Sequence, residues 1–303
     1  MVSRKKILFF TGIISFVLLI VSIGLWAFLQ NKSRYEQYQP WETESVLSTI
    51  GENTSYDFLL MGSSHGRLFS RNRNHILVEE AFGKKGATIA GGSSCVIPAE
   101  IFLDLFYSKK NSAETILYFI DPWCFYSDKY NSGYVFEHEQ FDLELLIAMI
   151  QYRVDPKIIK DYLSRTLRQG QKPYVDKNVQ PQTEQLEAID TNVVQMRLLD
   201  LYENEIGRKS NPEYRQAFLN SIENAKKHDS EMIFIIPPTL YTDPHHDDLK
   251  AFLDQHALTY LDMSKSVSNP KFYYDHDHLN VEGVKLFLEL LKREIEIRDI
   301  NLF

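Results

Sequence analysis

The sequence predicts an α/β protein in three layers, a parallel sheet of about five strands between helices, preceded by one N-terminal transmembrane helix. Three observations carry this. Short apolar runs of strand length recur along the chain, amphipathic helical patterns alternate with them, and an uncharged apolar stretch runs from Ile7 to Leu29.

The N-terminal stretch follows Arg4, Lys5 and Lys6 and exceeds the roughly 20 apolar residues a bilayer requires. It lacks the short core and A-x-A-like site of a cleavable signal, so residues 1–30 read as an uncleaved signal anchor. Basic residues stay on the cytoplasmic side, which puts the remaining chain outside, although Lys32 and Arg34 weaken that bias. Residues 31–55 are polar and aromatic without sustained periodicity and read as a juxtamembrane stalk. The domain proper is expected over 56–303.

Within it, strands are expected at 56–61, 87–90, 115–120, 232–236 and 258–261. Their continuous apolar character suits strands buried on both faces. Asn211 is positioned to cap a helix with Pro212 first and Tyr214, Ala217, Phe218, Ile222 and Ala225 on one stripe. Asn280 does the same for a last helix striped by Val284, Phe287, Leu288, Leu291 and Ile295. From about 127 to 210 no strand pattern occurs, so this reads as a helical insertion.

With 303 residues and 44% apolar composition, the chain can bury a full core. A net charge of -8 offers no field for a polyanion and excludes nucleic acid as a partner. Cys95 and Cys124 are the only cysteines, too few for a disulfide framework; they either pair or stand as two buried thiols.

Gly62, Ser64 and Gly66 spell G-x-S-x-G, the pattern of the α/β-hydrolase nucleophile elbow. Ser64, however, follows the first strand of the domain, which argues against that fold. At the other end, Asp275, His278, Leu279, Asn280 and Gly283 stand just before the last amphipathic helix. An unassisted serine is a poor nucleophile at neutral pH. A histidine must take its proton and a carboxylate must hold the imidazole in the right tautomer. Asp275 and His278, three apart, can meet within one loop, and that loop is expected beside the first strand.

Gly62-Ser63-Ser64 after the first strand and D-x-x-H before the last helix resemble the first and last blocks of the SGNH, or GDSL-like, hydrolases, over roughly 56–294. The resemblance implies a flavodoxin-like sheet, Ser64 as nucleophile, His278 as general base and Asp275 as orienter. It also implies an oxyanion hole from the Ser64 N–H and a glycine N–H after the second strand, Gly92 in preference to Gly91. Two positions depart from the family: Ser63 stands for its aspartate, and Asp121-Pro122-Trp123 ends the third strand where the family has an asparagine. Similar departures occur in membrane-anchored relatives of bacterial envelope acylation, the D-alanine transfer and alginate acetylation proteins. An esterase or O-acyltransferase working on an acylated envelope polymer beside a multispanning acyltransferase is therefore implied, with a non-catalytic scaffold as the rival.

His65, Asp121 and Trp123 are expected to line the site. Arg67 reads as an anion ligand or a solvated arginine, His245 and His246 as exposed at a polar helix start, and Asp277 as a rival partner for His278. The Asp275–His278 run lacks a second cluster to complete a metal site, and neither metal nor cofactor is expected.

Overall fold

The structure, a computed structural model, describes residues 4–32, 37–92, 94–169 and 173–300. A helix α1 (Arg4–Lys32) precedes the α/β unit, which opens with β1 (Ser55–Gly62), α2 (Ser64–Leu68), α3 (Asn74–Phe82), β2 (Gly86–Thr88), α4 (Val96–Ser108) and β3 (Ser112–Phe119). The insertion then supplies α5 (Asp128–Asn131), α6 (Leu143–Gln151), α7 (Pro156–Gln169) and α8 (Thr191–Leu201). The chain ends with α9 (Pro212–Lys227), β4 (Glu231–Ile236), α10 (His246–Gln255), β5 (Tyr260–Asp262) and α11 (Val281–Ile297).

The five strands are all parallel, in the order β2-β1-β3-β4-β5. This is the flavodoxin-like order, in which sites form at the carboxyl ends of the strands. Alternation along each strand divides the core. Leu59, Met61, Ile116, Tyr118 and Phe234 face the layer that holds Phe102, Phe218 and Phe252, whereas Phe58, Leu60, Leu117, Phe119 and Ile235 face Phe69, Val284, Phe287 and Leu291. Asn211 caps α9 by accepting from the Glu213 N–H at 2.9 Å, and Asn280 caps α11 through the Gly283 N–H at 3.0 Å. Both expected apolar stripes turn inward: α9 buries Ala217, Phe218, Ile222 and Ala225, and α11 all five of its stripe residues.

Two expectations require correction. Residues 7–29 do not form the expected transmembrane helix, because among the described residues no helix is long and apolar enough to cross a membrane. Nor is all of 31–55 a free stalk. Residues 33–36, Arg34 among them, lie outside the described residues, but Val46, Leu47 and Ile50 are buried in the core and Ser45 and Ser48 are buried beside them. The buried Glu139 carboxylate secures this segment, accepting from the Ser45 hydroxyl at 2.8 Å and from the Val46 and Leu47 N–H groups at 2.7 and 2.9 Å.

β5 is at the sheet edge, with β3 and β4 between it and β1, and the chain returns toward β1 because Phe287 of α11 packs on Phe69 and Phe119, with ring centroids 5.1 and 6.4 Å apart.

Gly62 holds the junction between β1 and the site. Its φ of +138° lies in the region L side chains avoid, and an added Cβ would overlap the Phe119 carbonyl. Gly62→Ala is expected to lower stability by about 2–4 kcal/mol, read as a lower urea midpoint at unchanged m-value.

Candidate active site

β1 and β3 are neighbours in register, Gly62 opposite Phe119, so the chain leaves both strands at the same level and Ser63, Ser64, His65 and Asp121 gather there. Ser63 is the N-cap of α2 and accepts from the His65 N–H at 3.3 Å. Its hydroxyl also donates to Asp121 Oδ2 at 2.5 Å. Ser64 begins α2 half-buried, with its N–H at the helix position that has no intrahelical partner.

Asp275 and His278 meet within their loop. His278 Nδ1 lies 2.9 Å from Asp275 Oδ2 and 3.0 Å from Oδ1, while Nε2 is buried without a hydrogen-bond partner. The Asp275 carboxylate also accepts from the Asp277 and His278 N–H groups at 2.8 and 2.7 Å. Burial works to raise the Asp275 pKa, but the His278 hydrogen bond and charge and these two N–H groups outweigh it and hold the carboxyl down at about 2. The His278 ring sits between His65 and Tyr274, with centroids 5.2 and 5.7 Å away. No Ser64–His278 hydrogen bond is formed among the described residues; Ser64 reaches this group through its neighbour His65.

Asp277 does not orient His278. It is buried, its carboxylate is paired with Arg197 Nε of α8, and its carbonyl oxygen lies 2.9 Å from His65 Nε2. His65 is 2% exposed, and Nδ1 lies 2.8 Å from Asp121 Oδ1, an ion-pair contact bent away from ideal hydrogen-bond alignment. Burial pulls the His65 pKa down, but Asp121 and then Asp277 more than reverse it, raising the imidazole to about 9.

At the second-strand turn, the Gly91 N–H already donates to the Gly62 carbonyl at 3.3 Å, whereas the Gly92 N–H makes no protein hydrogen bond among the described residues. Arg71 flanks Gly92 and is paired with Glu44 at 2.6 Å. Asp121 is an acceptor held by Ser63 and His65, so it supplies no oxyanion donor. Trp123 is buried, edge-on to Tyr130 at 5.0 Å, and with Asp121, Thr239 and Tyr241 lines a small cavity at the strand ends.

Arg67 corrects both of its expected roles. It is 3% exposed and donates to the Pro40 carbonyl at 2.7 Å and to that of Thr43, binding the 40–44 segment to α2. His245 and His246 are not exposed either: His245 stacks on Tyr126 at 4.1 Å with Nδ1 2.7 Å from Asp248, and His246 lies 3.0 Å from Asp262. The sulfurs of Cys95 and Cys124, both buried, are 2.8 Å apart, and burial pushes both thiols up.

Sequence reading missed the contribution of the insertion. Residues 182–190 run along the histidine loop as a strap: Val281 N–H donates to the Gln182 carbonyl at 2.8 Å, Leu186 N–H to that of Tyr273 at 2.9 Å, and Asp190 N–H to His276 Nε2 at 2.9 Å. Asn280 Nδ2 adds a bond to the Glu184 carbonyl at 2.9 Å. Nothing in the sequence marks these contacts, since the strap carries no periodic pattern and Arg197 is one basic residue on an amphipathic helix.

No family model matches the chain, and no curated protein matches it significantly. Among solved structures, it is similar to a Bacteroides fragilis protein provisionally assigned as an acylhydrolase, at 10% identity and a TM-score of 0.40, covering 89% of this chain and 95% of that one. The chemistry of the site therefore rests on this chain's own side chains.

His65 makes stability depend on pH. Its folded pKa of about 9 lies above the unfolded value near 6.5, so its contribution is complete below about 6.5 and is lost as pH rises through about 9. Urea unfolding is expected to lose about 3 kcal/mol across that window, and His65→Gln is expected to remove most of this slope.

Proposed function

We propose that the chain is an SGNH-like serine esterase or O-acyltransferase that forms an acyl-enzyme on Ser64. The observation that carries the reading is the Asp275–His278 pair, with Nδ1 held by the carboxylate and Nε2 buried without a partner. A histidine fixed in that way has its free nitrogen available to take a proton, which is the function a serine nucleophile needs.

In the proposed reaction the Ser64 hydroxyl gives its proton to His278 Nε2 as Oγ attacks the ester carbonyl. Catalytic hydrogen bonds are often long before substrate binds, so the missing Ser64–His278 bond is compatible with this role. The Ser64 and Gly92 N–H groups receive the negative oxygen. Collapse breaks the ester C–O bond, and the proton on His278 leaves with the departing alkoxide as an alcohol. His278 then deprotonates the acceptor, which attacks the acyl-enzyme and releases Ser64. Water as acceptor gives hydrolysis, and a hydroxyl gives transfer.

Asp121 in the third oxyanion position supplies no donor, and one such donor is worth about 10²–10³ in rate, so catalysis is expected to be slow. The substrate class favoured by the resemblance is an acylated envelope polymer, with a multispanning acyltransferase as partner. The same carboxylate at Asp121 also favours a second reading, a non-catalytic scaffold of this fold that binds a glycan or that partner.

Fluorophosphonate labelling of the full chain, followed by intact mass, separates the two. One adduct is expected, absent in Ser64→Ala and slowed by about 10²–10⁴ in His278→Ala, with a comparable loss in Asp275→Ala. An unlabelled but cooperatively folded wild type would establish the scaffold reading instead.

A further inference from the structure

We infer that His65 is a positioning residue, a doubly protonated clamp that joins the nucleophile turn and the end of β3 to the loop bearing His278. The inference rests on the triad reading above for its catalytic consequence, but its geometry stands apart from it.

Both ring nitrogens of His65 face atoms that can only accept. Nδ1 lies 2.8 Å from Asp121 Oδ1, and Nε2 lies 2.9 Å from the Asp277 carbonyl oxygen. A neutral imidazole has one N–H and one lone pair, so it would oppose a lone pair to an oxygen at one of these positions. Only the imidazolium suits both, and at 2% exposure no solvent is at hand to replace either partner. The charge is matched on each side. Asp121 faces it from the end of β3, and Asp277 faces it from the histidine loop, where its carboxylate is itself held by Arg197 of α8. Tyr241, from the turn after β4, is buried near the same Asp277 carboxylate, and burial and then that charge push its hydroxyl pKa up. The His278 ring also lies near it, 5.2 Å away. The tendency of His65 to stay protonated up to about pH 9 agrees with this geometry.

The three segments joined by the clamp are far apart in the chain: 63–65, 121 and 275–278. Ser64 is the residue next to the clamp, and His278 is next to Asp277. Fixing His65 against the Asp277 carbonyl therefore fixes the separation between the proposed nucleophile and its base, where misplacement by about 1 Å costs about 100-fold in rate. Nε2 is held by the Asp277 carbonyl and Nδ1 lies buried in its ion-pair contact with Asp121, so His65 is not itself available to donate to substrate or to take the serine proton.

The test pairs a direct reading of the ring with a reading of reactivity. Nitrogen-15 NMR of the full chain labelled at histidine, with His65→Gln to assign the signal, is expected to give a His65 ring with two protons from about pH 6 to 8. Fluorophosphonate labelling of Ser64 is expected to fall about 10- to 100-fold in His65→Gln, which retains one donor, and further in His65→Leu. Wild-type labelling should show a decline above about pH 9 that the glutamine variant lacks. Far- and near-UV circular dichroism and urea unfolding identify any variant that has merely failed to fold. For such a variant, Asp121→Asn serves in its place, with the expected result that the His65 ring loses its second proton at lower pH. A singly protonated ring at about pH 7, or a folded His65→Gln that labels as fast as wild type with the same pH profile, would overturn the clamp. A wild type that does not label at all defeats the triad reading instead, and the ring-proton measurement still decides the clamp.

Discussion

The buried Asp121 carboxylate is the group around which the site is arranged. A carboxylate removed from water costs several kcal/mol unless its oxygens are satisfied, and here each oxygen has its own partner: the Ser63 hydroxyl on one and the His65 imidazole on the other. Those two residues flank Ser64. The demand of one buried charge thus determines how the turn after β1 leaves the sheet, and the tight φ at Gly62 permits that exit against the Phe119 carbonyl. The position that would hold an amide in the resembling family is occupied here by a group that organises the turn rather than one that donates to substrate.

From Asp121 the alternation of charge continues outward. His65 carries it to Asp277, Arg197 of α8 answers Asp277, and Asp200 on the same helix lies 3.4 Å from Arg197 and 2.7 Å from Lys129. The insertion is therefore tied to the histidine loop by charge as well as by the backbone bonds of the strap at 182–190. Asn280 shows the economy of this region: its carbonyl oxygen caps α11 while its amide closes onto Glu184 and Lys271 at 2.9 and 2.8 Å. Gly283, one turn on, leaves room for the Phe272 carbonyl, which a side chain there would overlap.

Much of the layered sheet was legible because its signals are local. Apolar runs marked all five strands to within a few residues, and the caps at Asn211 and Asn280 marked two helices to the residue. The Asp275–His278 contact was legible for the same reason, since three residues of separation confine both groups to one turn. What misled were residues whose surroundings come from elsewhere in the chain. Arg67 reads as a surface arginine until residues 40–44 fold over it, and residues 40–47 read as a spacer because their polar groups are satisfied by Arg67 at 40–43 and by Glu139 at 45–47, which sequence periodicity does not reveal.

By itself, then, the sequence determined the class of fold, the order of the strands' appearance and the pairing of His278 with Asp275, because hydrophobic period, capping and short spacing act over a few residues. Only the tertiary structure decided that β5 lies at the sheet edge, that Asp277 belongs to Arg197 and His65 rather than to His278, and that His65 has acceptors at both nitrogens. These depend on which charges become neighbours once water is excluded, and that is settled by long-range packing of segments that carry no mark of one another in sequence.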